Sequence, residues 1–250
     1  MGIRQILREK CPWKIVRSPF LRYFAFQDPI DCIFYTYSLR YQPFFIQIGS
    51  NDGINGDPIY EYIFRWNWAG LKVEPVHYVF KRLKQNFRDF SNISLENSAI
   101  AKENSTERFY YLKQDENAPE WYSQLGSFSL ETILKHEQWI PDLQERLITT
   151  DVACLTFDQL CRKHSIDSIN VIHIDTEGYD FEIIKMIDFK KFNPTIVLYE
   201  HKHLSELDQA ACRQHLASFG YQFISTARDT LAVLDVDQIR KAWKIVAGSK

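Results

Sequence analysis

The sequence predicts an α/β domain built on a doubly wound, mostly parallel sheet that ends in a C-terminal antiparallel hairpin. Three observations carry that reading. Short apolar runs alternate with amphipathic stretches of helical period, the βαβ pattern that right-handed crossovers turn into a parallel sheet. Glycine is scarce, 9 in 250 residues, yet Gly49, Gly53 and Gly56 cluster directly after the first run. The last two runs flank a short polar turn, which pairs strands antiparallel.

The elements follow in order. Phe44-Phe45-Ile46-Gln47-Ile48 is an apolar run closed by Gly49, and reads as a buried strand. Asp57-Pro58 reads as an N-cap followed by proline at the first helical position, opening a helix over about Ile59 to Trp68. Leu71 to Glu74 is the second strand, Tyr78 to Phe87 an amphipathic helix and Ile93 to Glu96 the third strand. Residues 103–150 break the alternation and are too long for a simple βα connection. Within them Glu107 to Leu112 reads as an added strand and Ser127 to Glu137 as a helix, so the segment is an insertion suited to cover a site. Its aromatics Tyr110, Tyr111, Trp121, Tyr122 and Trp139 suit either stacking on a ligand or packing onto the sheet.

The alternation then resumes. Thr156 caps a helix through about His164, and Ile169 to Ile174 is a fourth strand ending in Asp175-Thr176-Glu177-Gly178. A helix to about Ile187 and a fifth strand, Thr195 to Glu200, follow. Ser205 with Asp208 starts a capped helix that Gly220 stops. Tyr221 to Ile224 and Leu231 to Leu234 form the hairpin around Arg228-Asp229. No linker rich in Pro, Gly or Ser appears. The expected organisation is a single domain over 41–250, preceded by an extension over 1–40. That extension is aromatic and basic, and reads as a helical segment packed on the domain with a solvated charged face. Peripheral contact with a membrane surface is its other use.

Composition narrows the function. Thirty Lys and Arg against 32 Asp and Glu give a net charge of −2, which disfavours a nucleic-acid coat. The five cysteines form no CxxC pair and are odd in number, which argues against a disulfide framework and for a reducing, cytoplasmic setting. The longest apolar-leaning stretch is far short of a membrane span, and the N-terminus lacks a signal peptide's apolar region.

The glycine turn, Gly49-Ser50-Asn51-Asp52-Gly53, lies between a strand and a helix, where backbone can approach a ligand closely. Its spacing is not the dinucleotide fingerprint G-x-G-x-x-G. Glu74 ends the second strand 21 residues after Gly53, where a carboxylate can accept both hydroxyls of a ribose. The two features together point to an adenosine-containing ligand.

Four segments then resemble a family. Phe45 to Gly53, Gly70-Leu71-Lys72-Val73-Glu74-Pro75, Asn97-Ser98-Ala99-Ile100 and Ile174 to Gly178 are similar, in order and spacing, to the motifs of FkbM-type methyltransferases. The resemblance covers about Pro43 to Leu234. It implies a class I Rossmann-like fold, S-adenosyl-L-methionine as cofactor and methylation of hydroxyls on sugars or polyketide-like products. Gly49, Ser50, Asn51, Asp52 and Gly53 would wrap the methionine part, Glu74 the ribose, Pro75 and Val76 the adenine, and Ser98 and Ala99 its far edge. Many members carry Asp where this chain has Gln47, whose amide can still bond the cofactor's amino-acid end. Asp175 would sit beside the reactive methyl.

The expected chemistry is transfer to a hydroxyl of a small-molecule or glycan acceptor, with no nucleic-acid partner. Asp175 is the first candidate for orienting or deprotonating that hydroxyl, and Glu177 the second. His173 reads as a core histidine, and Glu200, His201 and His203 as loop residues holding each other. Asp175 and Glu200 with His201 are too few close donors for a hard cation, so metal-free transfer is expected. The signature Asn/Asp-Pro-Pro-Tyr/Phe of amino methylation is absent after the fourth strand. The alternative is a non-catalytic or other nucleotide-binding module on the same fold.

Overall fold

The computed structural model describes residues 29–234. Arg4, Arg8, Lys10, Lys14, Arg17 and Arg22 of the expected N-terminal arm, Cys11, and residues 235–250 of the expected domain lie outside the described residues. The strands run in chain order as β1 (Phe44–Ile48), β2 (Ala69–Val73), β3 (Ile93–Glu96), β4 (Ala99–Ile100), β5 (Ser105–Leu112), β6 (Gly126–Ser127), β7 (Leu147–Leu155), β8 (Val171–Ile174), β9 (Ile196–Glu200), β10 (Tyr221–Ser225) and β11 (Asp229–Leu234). The helices are α1 (Pro29–Ser38), α2 (Tyr60–Trp66), α3 (His77–Asn86), α4 (Leu130–Leu134), α5 (Leu143–Arg146), α6 (Phe157–Lys163), α7 (Asp180–Met186), α8 (Phe189–Phe192) and α9 (Glu206–Ala217).

Seven strands form the main sheet in the order β10-β11-β9-β8-β1-β2-β3. The five from β9 to β3 pair parallel, while β11 runs antiparallel to both β9 and β10. This is the class I Rossmann-like arrangement with its closing hairpin. Alternation along each strand divides the core in two. Ile46, Ile48, Leu71, Ile172, Ile174 and Val197 face α6, α7 and α9. Phe45, Val171, Ile196, Leu198 and Leu231 face α1, α2 and α3. Burial on both faces is why the strands read as unbroken apolar runs.

Helix α1 is part of that second layer. Ile33 and Phe34 are fully buried, and the indole N–H of Trp68 donates to Ser38 Oγ at 3.0 Å. The stretch from Ile30 to Ser38, read as part of an extension, therefore packs into the core. Asp57 also differs from its expected role. Its Oδ1 accepts the Ile59 N–H at 2.8 Å, but its Oδ2 accepts from the ammonium of Lys72. Helix α2 starts at Tyr60 with no side-chain cap. Lys72 is fully buried in β2, donates also to Gln47 Oε1, and lies 4.9 Å from the Phe87 ring centroid. A buried ammonium needs that carboxylate, and the need outweighs a helix cap. Thr156 and Ser205 do cap as expected, accepting the N–H groups of Gln159 and Asp208.

The insertion builds a second sheet in the order β4-β7-β5-β6. It leaves and rejoins the main fold at one point: β4 pairs parallel with the end of β7, and Ala101 N–H donates to Leu155 O at 3.0 Å. The helix expected over Ser127–Glu137 is confined to α4, because Gly126 and Ser127 pair with β5 instead. Leu112, Leu125, Ile133, Ile140 and Leu143 give the insertion a small core of its own. No helix among the described residues is long and apolar enough to cross a membrane.

Candidate active site

Strand order reverses between β1 and β8, and a cavity of about 550 Å³ opens at their carboxyl ends, where open α/β sheets bind ligands. The glycine turn forms one wall. Gly49 has φ +79°, and a Cβ there would fall 1.8 Å from the carbonyl oxygen of Asp175. The N–H groups of Gly49 and Ser50 both donate to Val73 O at 3.0 Å. Glu74 lies below the turn, buried, with one carboxylate oxygen accepting the Asn51 N–H at 3.0 Å and the other the Val76 N–H at 2.8 Å. Burial pushes its pKa up to about 7, against the pull of those two amides.

Of the residues expected at a cofactor, Gln47, Gly49, Ser50, Asn51, Glu74, Pro75, Val76, Ser98, Ala99 and Asp175 line the cavity, and Glu177 joins them. Asp52 and Gly53 do not. Asp52 turns inward to accept the N–H groups of Ile54 and Asn55 and to pair with Arg82, so it shapes the turn. Gly53 packs on α3, where a Cβ would lie 2.4 Å from the Phe87 ring.

The far end of the cavity is acidic. Donor atoms of Asp175, Glu177 and Glu200 lie within 4.8 Å of one another. Asp180, fully buried, accepts from Thr176 Oγ1 at 2.9 Å and from the Glu200 N–H at 3.1 Å, tying the exits of β8 and β9 together. Burial and mutual repulsion push the carboxyls up: Asp175 well above its ordinary range, Glu177 to about 8 and Asp180 to about 7. Arg228, from the β10–β11 turn, donates to Glu200 Oε1 at 3.0 Å. His203 Nε2 is 3.1 Å from Glu177 Oε2, and burial lowers its pKa to about 4. His201 faces away, its Nδ1 3.1 Å from Thr230 Oγ1. His173 is buried in β8 and held neutral by burial, with a pKa of about 4, yet it also lines the cavity.

A family model described as the methyltransferase FkbM domain matches residues 47–223. The chain belongs to this family. Among solved structures it resembles the human methyltransferase 10 domain containing protein, at 13% identity and TM-score 0.42 over 82% of this chain and 81% of that one. It also resembles precorrin-6y C5,15-methyltransferase from Geobacter metallireducens, at 11% identity and TM-score 0.40 over 81% of this chain and 87% of that one. These likenesses concern the course of the backbone alone, and the strand order stands without them. No curated protein matches the chain in sequence.

In this FkbM-family methyltransferase the insertion helps to wall the cavity, but not with the aromatics singled out above. Tyr110, Tyr111, Trp121, Tyr122 and Trp139 are all absent from the lining, whereas Phe109 and Phe128 are present, joined by Tyr179 from outside the insertion. Alternation along β5 turns Tyr110 to the insertion's own core, while Tyr111 shares the face of Phe109 but lies farther along the strand, against Tyr78. Trp121 and Trp139 stay largely exposed. The insertion is clasped to the glycine turn by Asn51, whose side-chain amide donates to Ser123 O at 2.8 Å. Arg228 and Asp229 are further lining residues that no local sequence pattern marks, brought in by the start of β11, and Asp180, the first residue of α7, braces the site from behind.

Proposed function

We propose that this methyltransferase uses S-adenosyl-L-methionine to methylate a hydroxyl of a sugar or other small metabolite. The supporting observation is the two-ended cavity, with the glycine turn and Glu74 at one end and the carboxylates of Asp175 and Glu177 at the other. The cavity's residues fit the cofactor. Its volume suits a ligand of that size. Ser98 Oγ and His173 Nδ1 are buried in the lining with no hydrogen-bond partner, as groups reserved for a ligand are.

When bound, the cofactor supplies an electrophilic methyl on a sulfonium. Glu74 accepts the ribose hydroxyls, each of its oxygens already held in place by one amide. Gly49 lets the turn press against the Asp175 backbone, so the cofactor-binding loop and the reacting end are in direct contact. Asp175 would orient the acceptor hydroxyl and take up its proton, with Glu177 beside it. Phe109 and Phe128 pack with Val76 and Ala99 and would keep water from the adenine.

S-adenosylhomocysteine is expected to raise the thermal midpoint of the protein, since a ligand bound only by the folded state stabilises it. No shift at millimolar ligand, with circular dichroism showing a folded chain, would count decisively against the reading.

Glu74→Ala is expected to weaken S-adenosylhomocysteine binding by about 2–4 kcal/mol, roughly 30- to 1,000-fold. Glu74→Gln should lose less. The ionised carboxylate is the better acceptor, and its pKa of about 7 stands above the ordinary 4.5. Affinity should therefore fall as pH drops below 7, with proton release on binding near pH 6 that calorimetry in two buffers detects. The same shift means that, without ligand, Glu74 stabilises the fold at low pH, and that contribution is lost as pH rises from 4.5 through 7. A Glu74→Gln variant with an unchanged pH profile would assign the titration elsewhere.

A further inference from the structure

The acidic cluster behind the cavity wall holds two carboxylate oxygens that no hydrogen bond engages; Glu177 lines the cavity, and Glu200 and His203 stand behind it. Glu177 Oε2 and Glu200 Oε2 are both buried without a hydrogen-bond partner, in side chains that are 10% and 1% exposed. A buried acceptor left unpaired costs about 1–3 kcal/mol, more when charged, so two on one spot need a reason. Both face one atom: His203 Nε2 lies 3.1 Å from Glu177 Oε2 and 3.7 Å from Glu200 Oε2. Donors that share an ion at about 2.0–2.2 Å stand roughly 3.0–3.6 Å apart, close to this spacing. Arg228 holds the other oxygen of Glu200 at 3.0 Å and so fixes which one is free.

A fourth group reaches the same place from the insertion. A ring nitrogen of His136 lies within 4.8 Å of donor atoms of Glu177 and His203. Its Nδ1 faces the Thr132 carbonyl at 3.2 Å and must carry the proton there, which leaves Nε2 with a lone pair. Asp175 completes the group from the cavity side.

We propose that Glu177, Glu200 and His203 form a binding site for one divalent cation, with His136 as a further ligand. The mixed carboxylate and imidazole set suits Mn²⁺ or Zn²⁺ better than Mg²⁺ or Ca²⁺. The expectation of metal-free transfer counted Asp175, Glu200 and His201. His201 is engaged elsewhere, while Glu177, His203 and His136 raise the count. What the ion does there rests on the methyl-transfer reading: it binds the acceptor oxygen and makes its hydroxyl easier to deprotonate, leaving Asp175 to take the proton. That the ion binds does not rest on that reading.

The test uses the full chain stripped with chelator, titrated with MnCl₂ and read as free Mn²⁺ by electron paramagnetic resonance. One saturable site in the micromolar range is expected, displaced by ZnCl₂. MgCl₂ should compete only at concentrations about tenfold higher or more. His203→Ala and His136→Ala should each weaken Mn²⁺ binding about tenfold or more while leaving S-adenosylhomocysteine affinity unchanged. Absence of saturable Mn²⁺ or Zn²⁺ binding up to millimolar ion, or unaltered binding in His203→Ala, would overturn the proposal. A protonated Glu177 carboxyl donating to the neutral His203 imidazole is then what the cluster holds. S-adenosylhomocysteine titrated into the same samples separates the two readings, since each ligand can fail to bind without the other.

Discussion

Gly49→Ala is expected to unfold the protein at urea concentrations where the parent chain is intact. The added Cβ would lie 1.8 Å from the backbone oxygen of Asp175, a contact that no rotamer relieves. The strand ends that would have to part are joined there, since Asp175 N–H donates to Ile48 O at 3.0 Å. The φ of +79° adds about 1–2 kcal/mol of backbone strain for any residue with a Cβ. Together these place the loss above about 4 kcal/mol. Gly56→Ala is the matched comparison. Its φ is +71°, but the nearest atom to a new Cβ is the Gln124 side-chain nitrogen at 3.6 Å. It should cost only the strain, about 1–2 kcal/mol. Equal losses in the two variants would show that the contact with Asp175 is not what excludes a side chain.

Lys72→Met is expected to cost about 3–5 kcal/mol, because it leaves the carboxylate of Asp57 buried without its cation. Methionine keeps the length and the packing on Phe87, so the loss reports the charge. Burial holds the Lys72 pKa below its ordinary value while Asp57 pulls it back up. The double variant Lys72→Met/Asp57→Asn should recover part of the loss, since no uncompensated charge remains. Urea denaturation of the three variants checks the set. A loss under about 1 kcal/mol for Lys72→Met would mean that the buried pair is not ionised.

These two sites show what a single sequence reveals and what it hides. Strands such as Phe44–Ile48 and Ile93–Glu96 could be read to the residue, because burial shapes their local pattern. Thr156 and Ser205 could be read as caps because a cap acts over three residues. The glycine turn and Glu74 stood out by order and separation, and the fold brings them together as expected. Within that turn, however, Asn51 and Asp52 look alike in sequence. Only the direction of the chain sends one to the cavity and the other to Arg82. Lys72 gave no sign of its partner, since Asp57 arrives from a loop and looked like a helix cap. Tyr110 and Tyr111 could be counted but not aimed, because the face each occupies follows from the register of β5 on β7. The meeting of His136, Glu177 and His203 joins three loops far apart in the chain, and no spacing rule spans them.

The root of the insertion has a consequence for how this protein can change over time. Residues 101 and 155 are one hydrogen bond apart, so the segment between them leaves and returns at one place, a cassette that otherwise meets the main fold through side contacts such as Ser123 on Asn51 and Phe109 on α3. Chain ends that lie this close are where insertions and exchanges are best tolerated. The cassette carries its own small core, supplies Phe109 and Phe128 to the cavity, and brings His136 to the acidic end. Gly49, Glu74 and Asp175 all lie outside it. Lengthening or replacing the cassette therefore alters what covers the cavity, while the strand ends beneath stay paired within the main sheet. A lineage built on this sheet can revise its choice of acceptor while its transfer chemistry stays inherited.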